Sequence, residues 1–435
     1  MPQATEEKLI SITQDQLDAL VSLHERFLLG RVGGRRASLK RTDISNLSLK
    51  GRNLRQADFS GCIMRSMNLF AANFQEACLY ACDLSLSDLR EANFIRADLR
   101  GVRIESADLT GADLERADMR AGALASDGIY VSPQVVNFRG ANLSGARLIG
   151  ALAHQADFSD AILANAQMQQ ADLRGARLMN ADLSGADLSG TQLSGASLSN
   201  TILIGANLGS IRDSDYDIST AVTDQNVGLS LNELKAPLAT LLEAHKGWVM
   251  SGGVSGRQLD LSFYDLREAI SLKKEKLTAL KARQAKFIGL NLYKAELQSA
   301  VLDGSDFRNC DMEEADLRGS SIVGGIFSHA KMRGVNASPL MFGSGPQKRF
   351  APTNMMSGIF RYADLQDANF RNVNLKSADL SFANLRGADL READLSGANL
   401  EGTILDDALT EGAIMEGAKM GRAFALGSLS KDESL

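Results

Sequence analysis

The stretch "DSDYDISTAVTD", residues 213–224, sets Asp213, Asp215 and Asp217 at the alternating spacing of a calcium-binding loop. Such a loop needs a glycine at its sharp turn and a closing bidentate Glu. Here those places hold Ile218 and Asp224, so a polar linker is the simpler account. His24 and His245 close two similar apolar stretches, but neither has a metal-ligating or catalytic partner at a recognisable spacing. A structural histidine at a helix end fits both. His154 and His329 also lack a partner motif. The "GGVSG" segment, residues 252–256, is glycine-rich, yet no βα unit follows to cradle phosphate. Nucleophile motifs, zinc spacings and a P-loop are missing from the sequence. The expectation is a chain that is not an enzyme, with no catalytic, metal or cofactor-binding residues.

Composition narrows the class. The 435 residues carry 47 basic and 53 acidic side chains, a net charge of −6. That balance predicts no direct nucleic-acid binding, and it is mild for an acidic mimic of DNA. Aromatic residues are 6% against 44% hydrophobic, so the core must be built from Leu, Ala, Ile and Met. Four cysteines in so long a chain do not form a disulfide framework. The opening "MPQATEEKLISITQ" has no basic-then-apolar leader, and no apolar run reaches membrane-spanning length. The expected setting is cytoplasmic, without membrane insertion.

The elements that would position any site are written in a five-residue word. Large apolar residues return at Leu39, Ile44, Leu49, Leu54, Phe59, Met64, Leu69 and Phe74, and so on to Leu124. The register breaks there, resumes at Phe138 and runs to Leu208. Two residues before most of these centres stands a small residue such as Ala57, Ala72 or Ala92. Asp or Asn lies between. Neither a helix of period 3.6 nor a strand of period 2 places a period-five residue on one face.

This word, A(D/N)LXX, resembles the pentapeptide-repeat family over most of residues 37–209 and 259–420. The resemblance implies an all-β solenoid, a right-handed quadrilateral β-helix. Four words would make one square coil of 20 residues, with centre and small residue inward and three positions outward. Coils would then stack at about strand spacing, roughly 4.8 Å. Phe74 should stack on Phe94, and Phe138 on Phe158. Cys62 and Cys82 take the small inward position one coil apart. Their spacing permits a disulfide, but free core thiols are the expectation.

The chain is also duplicated. "LDALVSLHERFLLGRVGGRRASL" (Leu17–Leu39) aligns with "LATLLEAHKGWVMSGGVSGRQLDL" (Leu238–Leu261). His24 matches His245, and Phe27 matches Trp248. Each copy opens with an amphipathic helix bearing Leu17, Leu20, Val21 and His24, or Leu238, Leu241, Leu242 and His245. Asp15 is the expected N-cap of the first, and Ser230 with Glu233 resembles a capping box before the second. The expected organisation is a helical cap at 1–36, a β-helix at 37–209 and a linker with a second cap at 210–258. A second β-helix at 259–422 and a tail at 423–435 follow. A helix of this kind before a glycine turn is also found in bacterial members of the family.

Each module is interrupted once, at 125–136 and 338–358, and each interruption predicts a projecting loop. A one-residue slip lies between Leu266 and Leu272, so Lys273–Lys286 is either a bulged coil or a short helix. Some family members mimic DNA and protect or inhibit DNA gyrase. Here the outward ladders mix Asp with Asn and Arg, as in Asn137, Asp157, Arg177 and Ser197. Modulation of gyrase is therefore the alternative, and protein–protein interaction or scaffolding is the main expectation, with an unnamed protein partner. Outward apolar residues offer the contact points. Ile63, Phe70 and Leu86 should cluster across a corner, Tyr80 and Ile95 point outward, and Ile162 and Ile202 repeat on one face. The loops add Tyr130, Phe342, Lys348, Arg349 and Phe350.

Overall fold

The computed structural model describes residues 10–122, 125–126, 129–130, 134–209, 211, 216–225, 228–269, 271–342 and 349–420. The chain separates into two compact units, Met1–Asn226 and Val227–Leu435. Each is a β-solenoid whose coils are joined by parallel bridges. In the first unit Ser48 pairs with Asn68, Asn53 with Asn73, Asp58 with Cys78, and Ile63 with Asp83. Four ladders of this kind, with partners 20 residues apart, define four sides of one coil.

The word explains the coil atom by atom. At the corner after Leu54, Gln56 takes a φ of 60° and the Ala57 amide returns to the Leu54 carbonyl at 3.1 Å. That is the left-handed third residue a type II turn requires. Corner residues with side chains accept this strain because the corner amide is also held from the next coil. Gln56 N–H, for example, donates to the Gln75 carbonyl at 3.0 Å. The Asp or Asn of each word closes the same corner. Asp58 Oδ1 accepts from the Ser60 amide at 3.1 Å, and Asp182 Oδ1 from the Ser184 amide at 2.9 Å. The carboxylate is thus a turn-former first.

Inside, centre and small residue alternate in a filled tube. Phe74 and Phe94 stack with ring centroids 5.3 Å apart, and Phe138 and Phe158 at 4.8 Å. The second unit carries a longer column, Phe287, Phe307, Phe327 and Phe360, at 4.6, 5.0 and 4.7 Å. Cys62 and Cys82 are buried free thiols. Their Sγ atoms donate to the Leu39 and Phe59 carbonyls, and burial pushes the Cys62 thiol up to about 11.

Outside the coils, among the described residues, are two α-helices, α1 (Gln14–Leu28) and α2 (Leu238–Met250), and a 3₁₀ turn, Leu231–Glu233. The remaining elements are short strand pairs: β1 (Ile10–Ser11) with β2 (Thr42–Asp43), β3 (Ala125–Ser126) with β4 (Ile129–Tyr130), and β5 (Leu340–Phe342) with β6 (Arg349–Ala351).

Several expectations need correction. Thr13, not Asp15, is the N-cap of α1. It forms a capping box with Gln16, because the extended cap residue must lie one position before the first helical turn. The Ser230–Glu233 capping box exists, but it closes a 3₁₀ turn, Leu231–Glu233, and α2 starts after Pro237. Part of the expected linker continues the first solenoid. Asp217 pairs with Ser197 and Val222 with Ile202, and Ala221 is buried. Asp217 and Asp224 are engaged there by the Ser219 and Gly205 amides, and Asp213 and Asp215 lie outside the described residues. The loops are shorter than the sequence suggests. Val136 belongs to the core, as do Thr353 and Met355, because the coil resumes as soon as its ladder partner is reached. Lys273–Lys286 is coil and not helix. Asp260 pairs with Lys281 and Asp265 with Lys286, so one residue is accommodated in a 21-residue coil.

Phe307 is packed between two rings in the column, so nothing can collapse into its space. Phe307→Ala should destabilise the second unit by about 3–5 kcal/mol, measured by urea unfolding.

Candidate interaction sites

The start of each unit is built the same way. In the first, the Ala37 amide donates to His24 Nδ1 at 3.1 Å, and His24 Nε2–H faces the Arg55 carbonyl at 3.0 Å. The Arg35 amide donates to the Leu23 carbonyl at 2.9 Å. In the second, the Leu259 amide donates to His245 Nδ1 at 3.0 Å, and the Arg257 amide to the Ala244 carbonyl at 3.0 Å. The glycine turn must lie flat on the helix. A Cβ at Gly34 would sit 2.4 Å from the Phe27 nitrogen, and one at Gly256 would sit 2.2 Å from the Ala244 oxygen. This frame holds an aliphatic side chain at its tip in both copies: Val32 is 97% exposed and Val254 89%. Leu29 and Met250 are exposed beside them. The sequence alignment paired the histidines; these tip residues were the signal it passed over.

Along the faces, Arg changes what Asp presents. In words of the form DLR, DMR or DFR the guanidinium folds back bidentately onto the Asp two residues earlier. Arg90 reaches Asp88 at 2.8 and 2.7 Å, and Arg100 reaches Asp98 at the same distances. The pattern recurs at Asp118–Arg120, Asp172–Arg174, Asp316–Arg318 and Asp389–Arg391. The Arg90 hydrogen bond holds the Asp88 carboxyl below its ordinary range. The pairs are legible in the words themselves once the coil is known.

In the expected apolar cluster, Ile63 and Phe70 have charged neighbours and are half-buried. Phe70 is half-buried, with Lys50 and Arg90 over its ring at 5.3 and 5.5 Å. Tyr80 lies beneath Arg100 at 5.2 Å. Ile63 is half-buried in a ladder between Asp43 and Asp83, and Leu86 is exposed at a corner with a φ of 64°. Ile95 and Ile162 are half-buried. Ile202, expected outward, is fully buried, because the chain continues past it as a further partial coil at Val222. A corner feature was missed instead. His329, Tyr362 and Phe382 form a column at 5.2 and 5.1 Å. Its spacing is hidden in the sequence by the hairpin between the first two residues.

Both interruptions are antiparallel hairpins. The first pairs Ala125 with Tyr130 and closes at Gly122–Gln134; the Tyr130 side chain lies outside the described residues. The second pairs Leu340 with Ala351 and Phe342 with Arg349. Met341, Phe342 and Arg349 are exposed, and Phe350 is 65% exposed. Lys348 lies outside the described residues. Beside the second hairpin is a cavity of about 610 Å³ lined by Pro339, Phe350, Pro352, Arg371 and Asn372. The solenoid ignores both insertions, pairing Arg103 with Asn137 and Ser321 with Asn354.

A square β-solenoid of five-residue words, bearing two hairpins and two helix–glycine turns, defines a repeat-protein class. A family model for pentapeptide repeats matches eight times, at residues 48–85, 82–120, 137–178, 176–210, 277–313, 302–336, 360–392 and 393–424, more than half of the chain. The chain belongs to the pentapeptide-repeat family, whose members adopt a right-handed quadrilateral β-helix. No curated protein matches it. Among solved structures it is similar to trypsin-treated QnrB1, a plasmid-mediated fluoroquinolone resistance protein. That match has 20% identity, covers 44% of this chain and 87% of that one, and has a TM-score of 0.31. Rfr23 from the cyanobacterium Cyanothece 51142 is 27% identical over 28% of this chain and 88% of its own, with a TM-score of 0.23. HetL from Nostoc sp. strain PCC 7120, involved in heterocyst differentiation regulation, is 20% identical over 90% of this chain and 94% of its own, with a TM-score of 0.17. Among the described residues no helix is long and apolar enough to cross a membrane.

The two frame histidines give the fold a pH signature. Burial lowers both below the ordinary value of 6.5, so each is neutral in the folded state at neutral pH. Below that value the unfolded chain takes up protons that the folded chain refuses, and stability falls. Between about pH 7.5 and 5.5 the melting temperature should drop, and a His24→Asn/His245→Asn double variant should show a flatter profile from a lower start. The carboxylates held low by arginine titrate below this window.

Proposed function

We propose that the chain is a non-enzymatic interaction protein, in which two rigid solenoids present hairpins to a protein partner. In this reading α1 and α2 cap the first coil of each right-handed β-helix. A bare solenoid end would offer unpaired strand edges and apolar side chains to solvent. Gln14 supports that role: its Nε2 donates to the Ser48 carbonyl at 2.9 Å and its Oε1 accepts from the Ser48 amide at 2.8 Å. A side-chain amide thus mimics the coil that is not there.

The observation that carries the partner-binding reading is the second hairpin. It exposes Met341 and Phe350 as a cross-strand pair, with Phe342 exposed next to them in the strand, beside a cavity lined by Pro339, Phe350, Pro352, Arg371 and Asn372. A pair of exposed apolar residues on a rigid support offers a contact site. Replacing Met341–Phe350 with a short Gly-Ser turn should leave melting of the second unit unchanged, since Ser321 and Asn354 pair without it. It should abolish capture of partner protein from native extract, and unchanged capture overturns the reading.

A DNA-mimicking modulator of DNA gyrase has less support. Such a mimic needs uncompensated carboxylates along one face. The Asp–Arg clamps remove that charge, and Arg147 joins Asp113 and Glu115 in the same way. Gyrase supercoiling should be unaffected by the purified protein at micromolar concentration; inhibition or protection would restore this alternative.

A further inference from the structure

The tip of the first helix–glycine frame belongs to neither the hairpins nor the solenoid faces. Phe27, Leu29 and Val32 are exposed there, and Val32 stands almost wholly in solvent. Four exposed arginines, Arg26, Arg31, Arg35 and Arg36, lie in the same segment, and Arg36 donates from Nε to the Gln56 carbonyl of the coil. Among the described residues none of the four is in an ion pair, and the adjacent acid, Glu25, is already bridged to Arg52 at 3.2 Å. The tip is held stiff. The Gly30 and Arg31 amides donate to the Phe27 and Arg26 carbonyls at 2.9 Å, and Gly34 lies against the Phe27 backbone.

We propose that this tip docks on the surface of an anionic phospholipid bilayer. Three observations select that occupant. The charge is positive, so the partner is an anion. The apolar residues stand on a protrusion rather than in a groove, so they suit insertion into a soft interface and not capture of a peptide side chain. They are also useless for a phosphate backbone alone, which arginine would satisfy without them. Arginines close in sequence to a shallow apolar wedge match the requirement for interfacial binding, where buried apolar area and headgroup attraction add. The second frame repeats the wedge with Val254 and Met250, but Lys246 there is bridged to Glu243 at 3.6 Å. It is expected to bind more weakly.

Co-sedimentation with vesicles tests this on the full chain. The protein should pellet with phosphatidylcholine vesicles holding about a third phosphatidylglycerol, and stay in solution with phosphatidylcholine alone. Leu29→Ser/Val32→Ser and Arg31→Gln/Arg35→Gln should each reduce partitioning, the arginine pair by roughly five-fold per charge removed. All four positions are exposed, so circular dichroism and melting should stay as in the parent, and Val254→Ser should matter less. Failure to pellet with anionic vesicles overturns the proposal. So does pelleting that survives Leu29→Ser/Val32→Ser while failing without the arginines, which would indicate charge attraction with no apolar insertion. Equal pelleting by the parent and every variant also overturns it.

Discussion

One backbone contact governs both units: the hydrogen bond from an amide in one coil to a carbonyl in the next. Leu49 donates to Asn68 at 2.9 Å, and Asn68 donates to Leu47 at 3.1 Å, tying each side of the square to its neighbour. Because the bond recurs along all four sides, every residue is fixed in rotation as well as height. Inward positions then accept only a large apolar residue or a small one. Corner positions must take a left-handed backbone even at Leu86, Tyr362 and Phe382. The cost of those corners is offset by the coil-to-coil bonds they enable.

The same contact decides how extra chain is handled. An insertion cannot be spread through the coil without breaking four ladders. It is therefore ejected at one corner as a hairpin, at 122–134 and 340–351, or absorbed as a single residue in the coil between Asp260 and Lys281. Novelty concentrates at interruptions because regular words have no freedom to vary. Surface chemistry follows a related economy. Asp closes the corner, and where Arg stands two residues later it covers the same carboxylate, so those words present little bare negative charge. Exposed apolar groups occur on the second hairpin and the frame tips among other places.

Much of this was legible in the residues. The period of five named the coil, and the phenylalanines 20 apart stack as expected. The matched histidines marked two equivalent frames, and the one-residue slip after Leu266 is a coil of 21. Boundaries read less well. Residues 216–225 look like linker because their word is degraded, yet ladder pairing to Ser197 and Ile202 draws them into the solenoid. A weak word beside a formed coil is templated by it, and single-sequence pattern does not contain that help.

The sequence alone determined the repeat, most of the inward and outward assignment, and the existence of two interruptions. Those depend on local periodicity, which survives without knowledge of any neighbour. Tertiary structure decided which outward residues are available. Phe70 lies between Lys50 and Arg90, Ile202 is buried, and Val32 stands free. Each outcome is set by side chains one coil or one turn away in space, and solvent exposure is a property of those neighbours rather than of the residue itself.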